Sequence, residues 1–191
     1  MGECMFMELI RKVRNVSGDF AEVGVWKGRT FKRLVREAIR MHRTAHAFDS
    51  FTGMDEPGEH DKGQYPKGIL SVGGVKAFKS IMTEAGIGTF AADWMVWEGY
   101  IPHGFMKYDK IIAKDFAFAL IDVDHYLPTK VAAEWVHHHL HVGSILVFDD
   151  WFPDKDELAS KAIQEFLDAR GWMYKTVAHE NDQLALVRLQ K

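Results

Sequence analysis

The chain is poor in the features that would place it outside the ordinary run of globular enzymes. Cys4 is the one cysteine among 191 residues. A disulfide framework and a cysteine-built zinc site are both excluded within a single chain. No apolar run approaches the roughly 20 residues that a membrane helix needs. The start, Met1-Gly2-Glu3-Cys4-Met5, lacks the basic and apolar regions of a signal peptide. There is no excess of one charge either. The formal net charge of −3 gives no footprint for nucleic acid. Internal repeats and low-complexity segments are absent. These absences point to a soluble, cytoplasmic protein with neither a membrane nor a nucleic-acid partner. Its oligomeric state is left open.

What is present is an ordinary globular composition, 47% apolar and 27% charged, at a length that suits one domain. Leu9, Ile10, Val13 and Val16 recur at helical spacing, so an N-terminal segment of residues 1–17 carries a short amphipathic helix. A single domain of residues 18–191 follows. Asp19–Val25 reads as a first strand. Thr30 caps a helix that runs to about Arg43. Ala45–Asp49 is a second strand, and residues 50–72 are loop, rich in glycine and proline. The stretch from about 52 to 70 is expected to be a mobile cover with few apolar anchors beyond Met54, Tyr65 and Ile69. Helix is expected at Val75–Ala85, Thr129–Leu140 and Leu158–Ala169, the last closed by Gly171 in a left-handed C-terminal turn. Strands are expected at Trp94–Trp97, Phe116–Ile121 and Ile145–Phe148. Trp172–Val177 and Leu184–Leu189 alternate like a terminal hairpin joined through Glu180-Asn181-Asp182. Asp109, Lys110 and Lys114 read as an exposed connector. The order predicts an α/β fold: a doubly wound, mostly parallel seven-stranded sheet with a C-terminal antiparallel hairpin.

Chemistry is concentrated where apolar runs end. Ala119-Leu120-Ile121 breaks into Asp122-Val123-Asp124-His125, and Ile145-Leu146-Val147-Phe148 breaks into Asp149-Asp150. Ligands of open α/β sheets bind at the carboxyl ends of the strands. If the two strands are neighbours, these carboxylates share one mouth and raise one another's pKa unless a cation intervenes. An all-oxygen cluster suits a hard divalent ion such as Mg²⁺. A second locus is Glu22-Val23-Gly24-Val25-Trp26-Lys27-Gly28, a glycine-lined turn between strand and helix. It lacks the third glycine of a dinucleotide fingerprint, which argues against a nicotinamide dehydrogenase. Glu22 suits a ligand with a cationic amino-acid end. Asp49, about 20 residues past Gly28, stands where a carboxylate accepts both hydroxyls of an adenosine ribose. The plain alternatives are a structural turn and a solvated Asx residue.

Together, Glu22-x-Gly24-x-x-x-Gly28, Phe48-Asp49-Ser50-Phe51-Thr52-Gly53, Ile121-Asp122-Val123-Asp124-His125-Tyr126 with Thr129, and Asp149-Asp150-Trp151 resemble the macrocin-type O-methyltransferases, which methylate sugar hydroxyls. The resemblance runs from about Gly18 to the C-terminus. It implies a class I methyltransferase fold, S-adenosyl-L-methionine and Mg²⁺ as cofactors, and a small sugar-like hydroxyl acceptor. It implies Glu22, Gly24, Trp26, Thr30, Asp49, Ser50 and Gly99 around the cofactor, Asp122, Asp149 and Asp150 on the metal, and Asp124 or His125 as base. The other readings are a metal-independent methyltransferase of the same fold and a non-catalytic binding module. Among the remaining aromatics, Trp94, Trp97, Trp135 and Trp172 are expected in the core, and Trp26 and Trp151 near a ligand. His137-His138-His139-Leu140-His141 is expected to be a solvated helix face rather than a metal site.

Overall fold

The computed structural model describes residues 3–88, 93–104, 115–180 and 182–190. Asp109, Lys110, Lys114 and Asn181 lie outside them. Seven strands form one sheet: β1 (Asp19–Val23), β2 (Ala45–Asp49), β3 (Trp94–Glu98), β4 (Phe116–Ile121), β5 (Leu140–Phe148), β6 (Tyr174–Glu180) and β7 (Gln183–Arg188). Their order is β3-β2-β1-β4-β5-β7-β6. The first five pair in parallel, whereas β7 pairs antiparallel with both β5 and β6. This is the expected mostly parallel sheet with an antiparallel hairpin.

Helices cover both faces. α1 (Glu3–Lys12), α2 (Phe31–Arg40) and α3 (Val75–Glu84) bury Phe6, Leu9, Leu34 and Phe78 against Phe20, Phe118 and Ile145. α4 (Tyr126–His138) and α5 (Leu158–Arg170) bury Ala132, Val136, Ile163 and Phe166 against Ala21, Ala119 and Phe148. Side chains of a strand alternate between faces, so covering both faces demands apolar residues at every position. All residues of β1 and β4 are buried, and apart from Asp19 and Glu22 in β1 they are apolar. The exceptions are acidic: Asp19 at the start of β1 is buried with His46, Oδ2 to Nε2 at 3.1 Å, and the same imidazole accepts from Trp97 Nε1.

Several local expectations are corrected. Thr30 makes no side-chain cap, because its own backbone is already helical. Gly171 is also helical and leads into a short 3₁₀ turn, Gly171–Met173, so the chain enters β6 without a left-handed stop. That turn carries Trp172 outward, 66% exposed rather than in the core. Trp94 is buried, and Trp97 and Trp135 pack partly buried against the core. Trp151 is buried in the core under α5 and does not line the cavity described below. His137 is not solvated: it is buried, with Nδ1 2.7 Å from the Tyr174 hydroxyl, while its carbonyl accepts from Arg188. α4 faces the hairpin at that turn, which sequence periodicity does not reveal.

Candidate active site

The ends of the five parallel strands are tied together by backbone hydrogen bonds. Gly24 N donates to Phe48 O at 2.8 Å, Asp122 N to Val23 O at 2.8 Å, Asp149 N to Ile121 O at 2.9 Å, and Gly99 N to Asp49 O at 2.9 Å. These rungs bring Glu22, Asp49, Asp122 and Asp149 to one level at the carboxyl edge of the sheet. They surround a cavity of about 360 Å³, within the range of small-ligand sites. Gly24, Trp26, Thr30, Ser50, Gly99, Asp124 and His125 also line it. Asp150 does not line it, but it joins the acidic group at its base.

The turn after β1 is shaped by its neighbours. Gly24 has φ +85°, and a Cβ there would lie 1.6 Å from the Asp122 carbonyl oxygen. The glycine is needed for the approach of the β4 end. Asp49 braces the same turn. Its Oδ2 accepts from Val25 N at 2.7 Å and Trp26 N at 2.9 Å, and its Oδ1 from Phe51 N at 2.6 Å. A carboxylate offers about four lone-pair positions. One remains, so Asp49 has room for a single further hydroxyl rather than the expected pair. Ser50 Oγ donates to Gly53 O at 2.6 Å and accepts from Thr52 N, closing the turn that starts the loop. Trp26, Phe51, Asp124 and Asp150 all adopt positive φ. Four non-glycine residues in the left-handed region at one mouth are a concentration of backbone strain, held in place by the surrounding bonds.

The electrostatics are dominated by uncompensated acid. Glu22 is 2% exposed, and its Oε2 is the one buried side-chain oxygen or nitrogen among the described residues without a hydrogen-bond partner. Burial, and then the charges of Asp122, Asp49 and Asp149, push its pKa well up. Asp122 is likewise raised, first by burial and then by Asp149, Asp124 and Asp150. Asp124 and Asp150 share a hydrogen bond. That bond lowers the pKa of Asp124 and raises that of Asp150. Burial still leaves Asp124 above its usual range and takes Asp150 to about 7.

Carboxylate oxygens of Asp122, Asp124 and Asp150 lie within 4.8 Å of one another. Asp149, expected as the third metal ligand, hydrogen-bonds to Asp122 and accepts from Gln183 Nε2 at 2.7 Å. The set is all oxygen and converges on one point, which fits a hard divalent cation. Gln183 had no signal in the sequence, because only the pairing of β7 beside β5 brings it there. Asp61 was also missed, since a carboxylate in a glycine-rich loop reads as solvent-facing. It is buried, and its Oδ1 accepts from Tyr126 N at 2.7 Å.

A family model described as a methyltransferase domain matches residues 21–151, which contain Glu22, Asp49 and the acidic group. The chain belongs to the methyltransferase-domain family. The domain's fold is shared with solved methyltransferases. The O-methyltransferase NovP superposes with a TM-score of 0.78 at 19% identity, over 96% of this chain and 77% of that one. CalS11, a calicheamicin methyltransferase, gives 0.76 at 21% identity, over 98% and 78%. An O-methyltransferase from Bacillus cereus, solved in complex with SAH, gives 0.67 at 13% identity, over 100% and 82%. No curated protein sequence matches the chain. At these identities the likeness is one of fold. Among the described residues no helix is long and apolar enough to cross a membrane.

Proposed function

We propose that this methyltransferase domain moves a methyl group from S-adenosylmethionine to a hydroxyl of a sugar or other small vicinal diol, with Mg²⁺ or another hard divalent cation at the acidic group. The observation that carries the cofactor assignment is Glu22. A buried, unpartnered carboxylate in a cavity wall is costly unless a ligand supplies the missing charge or donor. The ammonium of a methionyl group supplies both. Asp49 at the end of β2 has one acceptor position for a ribose hydroxyl, with Gly99, Trp26 and Thr30 completing the wall. The neighbours named above support the reading, one being solved with SAH and two being O-methyltransferases by description.

Asp122, Asp150 and one or both of Asp124 and Asp149 would hold the cation. When bound, it would supply Lewis acidity to the acceptor's oxygens. The chain's own residues do the rest. Asp124 and His125 follow β4 directly and both line the cavity. His125 Nε2 lies 3.2 Å from Gln64 O, so with the ring hydrogen on Nε2 its Nδ1 is left as the basic atom. Asp124 shares a hydrogen bond with Asp150 and lines the cavity, where its carboxylate would take the hydroxyl proton.

A metal-independent reaction is the second reading. The bonds Asp122–Asp149 and Asp124–Asp150 favour it, since protons shared between carboxylates satisfy part of the cluster without a cation. Calorimetry with S-adenosylmethionine, with and without Mg²⁺, followed by a methyl-transfer screen over vicinal diols, separates the two. Cofactor binding with activity that survives excess chelator selects the metal-independent route. Absence of cofactor binding sinks both.

A further inference from the structure

α4 begins immediately after the segment that carries Asp122, Asp124 and His125, and it begins without a local cap. His125 occupies the N-cap position with no side-chain bond to the helix, and the first turn contains no acidic residue. Pro128 in that turn has no N–H to offer. The first N–H groups of a helix need acceptors from elsewhere. The acceptor for Tyr126 N comes from 65 residues away: Asp61 Oδ1 at 2.7 Å. Asp61 Oδ2 accepts from Gly58 N at 2.7 Å, within the loop itself. The carboxylate is 2% exposed. Its charge is compatible with burial because it faces the positive end of α4.

Neighbouring contacts act in the same place. His125 Nε2 meets Gln64 O, the ring of His60 packs 4.3 Å from that of Tyr126, and Lys62 pairs with Glu157 at 2.6 Å. Asp124, just before, is held at φ +56°, with its carbonyl accepting from Ala159 N at 2.8 Å. The strained segment is thus pinned on one side by α5 and on the other by the loop. We propose that Asp61 is a positioning residue for methyl transfer: it fastens the loop to the start of α4, and through that joint holds Asp124 and His125 in their reactive orientation. This rests on the functional reading above only in assigning those two residues to the reaction.

The joint makes loop opening and fraying of the first turn of α4 one event rather than two. The test is hydrogen exchange followed by mass spectrometry, without ligands, on Asp61→Asn and Asp61→Ala. Exchange in residues 58–65 and in the first turn of α4 should rise together, each roughly tenfold, as expected for losing one buried hydrogen bond. Lys62→Glu loosens the loop from its solvent side by repelling Glu157, and removes none of the hydrogen bonds of the Asp61 carboxylate. It should raise exchange in both segments as well, by a smaller factor. This variant keeps the test decisive should the Asp61 variants fail to fold. Affinity for S-adenosylhomocysteine should stay within about twofold of wild type, since Asp61 does not line the cavity. Mn²⁺ affinity, read by electron paramagnetic resonance, should fall roughly tenfold in Asp61→Asn, because Asp124 is one of the three carboxylates that lie within 4.8 Å of one another; a joint that held only the loop and not Asp124 would leave it unchanged. Faster exchange in one segment alone, or unchanged Mn²⁺ affinity in a variant whose loop has opened, overturns the proposal. A wild type that binds no Mn²⁺ removes the metal assignment instead, and the exchange results then decide.

Discussion

Both oxygens of Asp49 are engaged by backbone N–H groups before any ligand arrives, which makes it a brace first and a binding group second. Asp49→Ala should therefore cost stability as well as cofactor affinity, each by on the order of 1–3 kcal/mol. Denaturant titration beside calorimetry with S-adenosylhomocysteine separates the two; lost affinity with unchanged stability would contradict the bracing role. Glu22→Gln tests the unpartnered carboxylate. It removes a raised-pKa acid at nearly constant volume, so cofactor affinity should drop by about tenfold or more while the fold persists, because a charge-assisted contact becomes a neutral one. At the reacting end, replacing the true base should lower turnover by roughly 10²–10⁴-fold with cofactor binding intact. Near-normal turnover in both Asp124→Asn and His125→Ala, on an identified acceptor, would remove both from that role. The acidic residues themselves were legible, since an apolar run that stops at a carboxylate marks a strand end. Their mutual arrangement was not. Asp149 is held by Gln183, and only tertiary pairing puts that residue there.

Among the elements, the strands with both faces buried were read to within a residue or two, because burial on two sides leaves no freedom in composition. β5 is longer than expected, starting at Leu140 rather than Ile145. Leu140 is in the core, but His141, Val142 and Gly143 are only partly buried or exposed, so the apolar run that marks the strand breaks there. α4 starts at Tyr126 rather than Thr129. Pro128 there marks the first turn of a helix and not a barrier before it. The histidine run showed the limit of pattern reading most plainly. His137 faces β6, where burial first and the Arg188 charge next lower its pKa to about 4. The folded protein keeps it neutral, whereas the unfolded chain binds a proton from about pH 6.5 downward. Stability contributed by this contact is therefore full above about pH 6.5. It is lost as pH falls toward 4, by up to about 3 kcal/mol. His137→Gln should flatten the stability profile across that window in denaturant titrations. Parallel profiles for wild type and variant would show that another group titrates there.

For the molecule as a whole, ligand binding and folding are linked. A ligand present at about 100 times its dissociation constant adds about 2.7 kcal/mol. For a domain of this size that is a rise of roughly 5–10 °C in Tm. S-adenosylhomocysteine should produce such a shift in a thermal melt, and an unchanged melt at saturating ligand would argue against the cofactor assignment. The sheet order also sets a sequence of events. β7 follows the other six strands of the sheet in the chain, yet it lies between β5 and β6. β6 has no place in the sheet until β7 has arrived to receive it. Gln183, which holds Asp149, and the Asp182 carbonyl, which accepts from Trp151 N at 2.7 Å, both belong to this final segment. A nascent chain emerging from the ribosome can therefore have its first five strands in hand and still lack a finished site. Catalytic competence arrives with the closing stitch of the sheet, because the turn from β6 into β7 is the part of the hairpin that reaches the acidic mouth.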